Sequence, residues 1–212
     1  MTQTPTSTQT LIPTRQRPFS SATIVLASAL LLGGCSAIVA QNPSSALKPV
    51  NAVADGADDR VMLKGHDVVA YFDQGTHAAG SPQISSVYEG VTFRFGTAEH
   101  KARFDAEPAK YLPQYGGYCA DGIVYAIPWG GDADTWLLRD GKLYIFGGAG
   151  SKAAFMLDVP GNIKLADKYW ADEVKGGNSF VQRARRLVFR VPHYKSGEEL
   201  DRLVKEAAAK KG

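Results

Sequence analysis

The segment Trp136-Leu-Leu-Arg-Asp-Gly-Lys-Leu-Tyr-Ile-Phe146 constrains the fold more than any other. Its Asp140-Gly141 pair suits the positive φ of a two-residue hairpin turn, and strand formers flank it on both sides. Ile84 to Phe95 has the same grammar, alternating apolar and polar residues around Glu89-Gly90. Val68-Val-Ala-Tyr-Phe72 is a short β-type run, and Ile123 to Ile127 is another apolar run. Helix signals fall between them. Thr97 stands where an N-cap belongs, with Glu99 in the first turn and Ala98, Ala102 and Phe104 available for an inward face as far as about Ala106. Pro108 fits the first turn of a shorter helix ending near Tyr111. Ser151 can cap a helix carrying Ala154, Phe155 and Leu157, and Pro160 starts another that turns Ile163, Leu165 or Ala166, and Trp170 to the core. Strands joined by short turns, with helices inserted in pairs, predict an α+β fold: a small antiparallel sheet with short helices packed on it, in a single domain.

The N-terminal part obeys different rules. Residues 1–14 are polar, Arg15 and Arg17 follow, and an apolar run extends from Ala22 to Leu32. Charge followed by about ten apolar residues has the order of a secretory signal and is short for a membrane span. The run ends in Leu32-Gly-Gly-Cys35, which resembles the lipobox of bacterial lipoproteins. That resemblance implies lipidation of Cys35, a signal peptide over residues 1–34, and Ser36 directing the product to the periplasmic face of the outer membrane. Several acyl chains on one cysteine suffice for stable anchoring. Residues 35–60, rich in Pro, Ser, Gly and Asp, read as a flexible tether. With the leader's two arginines removed, 22 basic side chains face 21 acidic ones, and such a balance excludes an electrostatic case for nucleic acid.

Beyond Gly176-Gly177 the chain becomes basic. Arg183, Arg185, Arg186 and Arg190 lie among apolar residues from Phe180 onward, Pro192 breaks the segment, and Ser196-Gly-Glu-Glu199 forms a capping box for a last helix bearing Leu200, Leu203 and Val204. Residues 175–212 are thus a basic helical extension. It either meets anionic lipid near the anchor or packs on the domain with a solvated basic face.

Gly65-His-Asp-Val-Val-Ala-Tyr-Phe72, Tyr88-Glu-Gly90, Phe93-Arg-Phe95, Pro108-Ala-Lys-Tyr111, Pro113-Gln-Tyr-Gly-Gly-Tyr-Cys-Ala120, Asp140-Gly-Lys-Leu-Tyr144 and Pro160-Gly-Asn-Ile163 occur in an order that resembles bacterial YHS domain-containing proteins. The resemblance covers residues 61–174, and related short YHS modules are thought to bind metal. Their ligand pattern is Asp-Pro-Val-Cys-Gly-Met, then Phe-Cys-Ser, then a further cysteine. Laid on this chain it places Ala70, Gly96 and His100 at the three cysteines and Phe72 at the methionine. Copper(I) favours thiolate and thioether donors, so that role does not carry over directly.

Five residues remain, His66, Asp67, His77, His100 and Cys119, and with His77 read as solvated turn material the candidate metal set is His66, Asp67, His100 and Cys119. None are spaced as a recognisable zinc or copper motif. The cofactor to expect is a transition metal of copper-like character, or haem. His100 and His66 also read as an exposed helix residue and a loop residue. With Cys35 acylated, Cys119 has no disulfide partner in its chain, and it is either a buried small hydrophobe or a ligand-contacting thiol. Tyr71, Tyr115 and Tyr118 join it as candidate ligand contacts, although aromatics at such positions first of all pack. The expected function is a lipid-anchored periplasmic protein binding a metal ion or a small metal-bearing ligand. A non-catalytic module that docks a protein partner is the alternative, and a thiol-dependent enzyme, which would need a His base assembled by the fold, stands behind both.

Overall fold

The computed structural model describes Met1, residues 50–55 and residues 58–210. Cys35 and the expected signal peptide lie outside the described residues. Two sheets form the framework. The first contains β1 (Ala52–Asp55), β2 (Asp58–Met62), β3 (Ser81–Tyr88) and β4 (Val91–Phe95) in the order β1-β2-β4-β3. Its hairpins are antiparallel, and β2 meets β4 in parallel through Val61 and Thr92. The second is the hairpin of β5 (Asp132–Arg139) and β6 (Lys142–Phe146). The α+β class therefore holds, with two small sheets instead of one. The strand β1 lies within the stretch expected as tether, and Val50 is fully buried, so the folded domain starts before residue 61.

Both expected hairpins form, with φ of 51° and 74° at Glu89 and Gly90 and of 51° and 70° at Asp140 and Gly141. Positive φ at both central residues gives the turn a twist that matches the strands it joins. The short run at Val68–Phe72 is the clearest departure from expectation. Asp67 accepts a hydrogen bond from the Val69 amide at 2.9 Å, which curls the chain into helix α1 (Ala70–Asp73). An apolar run buried all round has no period by which strand and helix could be told apart.

Helix α2 (Ala98–Ala106) starts as expected, the Thr97 side chain accepting from the His100 amide. Its inward residues are His100 and Phe104, while Ala98 and Ala102 are exposed. Helix α3 (Pro108–Tyr111) follows, and α4 (Ala120–Val124) takes up the first two residues of the Ile123–Ile127 run. Helix α5 (Ala149–Phe155) begins two residues before Ser151, whose hydroxyl donates back to the Gly148 carbonyl at 2.9 Å. Helices α6 (Val159–Tyr169), α7 (Ser179–Val188) and α8 (Gly197–Ala209) complete the chain.

Strand β6 is the wall shared by two cores. Leu143 and Ile145 face a cluster containing Phe93, Phe95, Phe104 and Tyr71, while Tyr144 and Phe146 face another containing Tyr118, Ile123, Phe155 and Ala166. Alternation of successive side chains produces this split, and burial on both faces requires the uninterrupted apolar run. The basic extension belongs to the second core: Val191 is buried there, with Tyr194 and Leu200 packed beside it.

Candidate functional site

Of the four expected metal ligands, the fold joins two. Asp67 is 1% exposed, and its Oδ2 accepts from His100 Nδ1 at 2.6 Å and from the Gly96 amide at 2.8 Å. The other His100 nitrogen, Nε2, lies 4.0 Å from an Asp73 carboxylate oxygen that Arg103 pairs at 2.6 Å. Asp67, Gly96 and His100 thus meet although they come from the loop before α1, the end of β4 and the first turn of α2. The carboxylate accepts three hydrogen bonds and leaves little capacity for a cation. His66 stands apart, with Nδ1 at 3.0 Å from the Leu63 carbonyl and its ring 6.0 Å from that of His77. Among the described residues, no three His, Cys, Asp or Glu side chains are grouped to hold a metal ion.

Cys119 lies in the second core, 3% exposed, and is a free thiol. Burial raises its pKa, against the opposing pull of the nearby Gly122 and Gly147 amides and the Ser151 hydroxyl. A buried thiol held protonated is a poor nucleophile. The three candidate tyrosines are tied to the protein itself: Tyr71 donates to the Ala133 carbonyl at 2.7 Å, Tyr115 to Asp167 at 2.8 Å, and Tyr118 to the Val50 carbonyl at 3.1 Å. Burial raises the pKa of each. Each phenol closes a long-range link, so all three serve packing.

The open polar group is one that sequence reasoning passed over. Asp121, in the first turn of α4, is 8% exposed, and its carboxyl has no hydrogen-bond or ion-pair partner among the described residues. Burial pushes its pKa from 3.8 up to about 7. It borders two cavities, of about 470 and 300 Å³, lying between the α4–α6 region and α8. Apolar walls come from Val124, Leu157, Leu165, Leu200 and Leu203, and the charged residues Asp158, Lys195, Glu206 and Lys210 complete the larger lining.

No family model, curated protein or solved structure matches this chain.

His193 helps to hold the covering segment in place. Its Nε2 donates to the Val124 carbonyl at 2.9 Å, and its ring stacks between Tyr125 and Tyr169 at 5.6 Å from each. The chain entering α8 is therefore fixed to α4 and α6 while the cavity below it stays open. A sequence signal for Asp121 did exist: it is the lone charge between Tyr111 and Ile127 in a stretch of apolar and small residues. Lysine 110 just precedes that stretch, and Asp132 is the next charge after it.

Proposed function

We propose that this protein is a small-molecule-binding, lipid-anchored periplasmic protein with a YHS-type domain, and that its ligand is a compact amphipathic amine. The observation that carries the reading is the buried, unpartnered Asp121 carboxyl at an apolar cavity of about 470 Å³. Pockets that bind small ligands combine apolar walls with a few placed polar groups, and a volume of several hundred Å³ falls in their range. A carboxyl without a partner is costly to bury, and a cationic head group would relieve that cost while the alkyl body covers leucine side chains. The ligand of first expectation, a metal held by His66, Asp67, His100 and Cys119, has no such assembled site among the described residues. Anchoring through Cys35 and an outer-membrane location remain part of the reading, on the lipobox-like Leu32-Gly-Gly-Cys35. The meeting of Asp67, Gly96 and His100 supports the YHS resemblance, because two of them stand at matched ligand positions.

Hexylamine and hexanol, titrated calorimetrically into the full chain, test the proposal. Hexylamine should bind more tightly at pH 8 than at pH 6, because Asp121 ionises between them, and Asp121→Asn should weaken it at least ten-fold, a loss of about 1.4 kcal/mol. Equal binding of hexylamine by Asp121→Asn, or none by the native protein, would overturn the ligand assignment. Labelled palmitate incorporated in cells and lost in Cys35→Ala tests the anchor separately.

A further inference from the structure

Helix α7 is inverted. Several of its polar residues, Arg185 excepted, face the protein: Gln182, 7% exposed, donates to the Ala126 carbonyl at 3.1 Å and to Glu173 at 3.1 Å, and Arg186 pairs with the same glutamate. Its apolar residues face outward. Val181 is 61% exposed, Leu187 52% and Val188 72%, and Phe180 and Phe189 extend the same surface. Residues 180, 184, 187 and 188 share one helical face by spacing, so the stripe is continuous. An isolated exposed leucine is ordinary, but five large apolar side chains on and beside one ten-residue helix mark an interaction surface.

The surrounding charge selects the occupant. From Val174 to Gly197 there is no acidic side chain, while Lys175, Arg183, Arg185, Arg186, Arg190 and Lys195 are all present. Arg185 keeps 56% of its side chain exposed. Trp129, 41% exposed, sits beside α7 with the Arg183 guanidinium 5.9 Å from its ring centre. Aliphatic and phenylalanine side chains on one face, bordered by guanidinium groups and a tryptophan, match an interfacial helix that lies in the plane of an anionic bilayer surface. Among the described residues no helix is long and apolar enough to cross a membrane.

We infer that the outward face of α7, together with Trp129, docks on anionic lipid and turns this side of the domain to the membrane. The surface acts independently of the proposed amine ligand and of acylation at Cys35. The test uses the full chain carrying Cys35→Ala, mixed with phosphatidylcholine vesicles with or without phosphatidylglycerol. Sedimentation should show binding that depends on phosphatidylglycerol and weakens with salt. Double substitution Leu187→Ser and Val188→Ser, at exposed positions, should reduce it at least ten-fold with an unchanged circular dichroism spectrum. Lipids brominated on their acyl chains should quench Trp129, identified by loss of the quenched component in Trp129→Phe. Vesicle binding that survives the double serine variant, with Trp129 unquenched, would overturn the inference and assign the contact to the N-terminal apolar run. A lipid-free dimer in analytical ultracentrifugation that the same variant dissociates would overturn it in favour of a second copy as the occupant.

Discussion

Replacing Asp121 with Asn should stabilise the protein at neutral and alkaline pH and leave the pH-dependent part of its stability unchanged in acid. The carboxyl titrates near 3.8 when unperturbed and at about 7 in the folded protein. Between those values the folded state binds the extra proton, so this group's favourable contribution is complete below about pH 4 and is lost as pH rises through 7. The interval of about 3 pH units, at about 1.4 kcal/mol each, sets an upper bound of about 4 kcal/mol. Because the carboxyl borders a cavity that water can enter, about 2 to 4 kcal/mol is the range to expect. For a domain of this size that corresponds to roughly 4–16 °C in melting temperature. Urea denaturation of both proteins from pH 4 to 8.5, with the ligand-free state confirmed by mass spectrometry, measures the difference directly. Asn carries its own unsatisfied amide, but that offset does not vary with pH. A gap between the two proteins that stays constant across the range, or widens toward acid, would refute the burial argument and the site with it.

The Asp67–His100 pair should behave as a structural lock: His100→Ala should cost about 3 kcal/mol, and a double-mutant cycle with Asp67→Asn should show coupling above about 1 kcal/mol, read by chemical denaturation. Cys119 should resist a thiol reagent in the native state and react fully in denaturant, and labelling at the same rate in both would show that the core around it opens. Gly80→Ala should destabilise severely, since a β-carbon there would lie 2.4 Å from the Arg94 backbone. Gly141→Ala, with open space around it and φ of +70°, should cost only about 1 to 2 kcal/mol, and equal losses at the two glycines would contradict this packing.

Much of the fold is legible because the informative signals are local. Glu89-Gly90 and Asp140-Gly141 dictate their turns, and Thr97 and Ser196 mark helix starts by satisfying free amides. The failures share a physical cause. Val68–Tyr71 is buried throughout and Phe72 partly so, and a single side chain, Asp67, decides the conformation of this run through contacts with Val69, Gly96 and His100. Two of those three contacts span about thirty residues, and no local propensity encodes them. Asp121 escaped for a related reason. The neighbouring run Ile123–Ile127 reads as apolar without a helix start, so nothing local marks Asp121 as a helix residue, and only tertiary packing shows that its carboxyl is enclosed. The inversion of α7 is likewise invisible to periodicity, which finds an amphipathic helix without saying which face is inward.

The cluster at Asp67 joins three segments of the chain through hydrogen bonds to one side chain. In this chain the same three segments, the loop before α1, the end of β4 and the first turn of α2, are joined by one carboxylate that accepts from Val69, Gly96 and His100. A β-carbon at Gly96 would stand 3.5 Å from Asp67 Oδ2, an ordinary contact distance, so position 96 takes part in the cluster through its backbone amide. Asp67 is thereby fully engaged by its neighbours, whereas at the second core α8 leaves Asp121 facing open space.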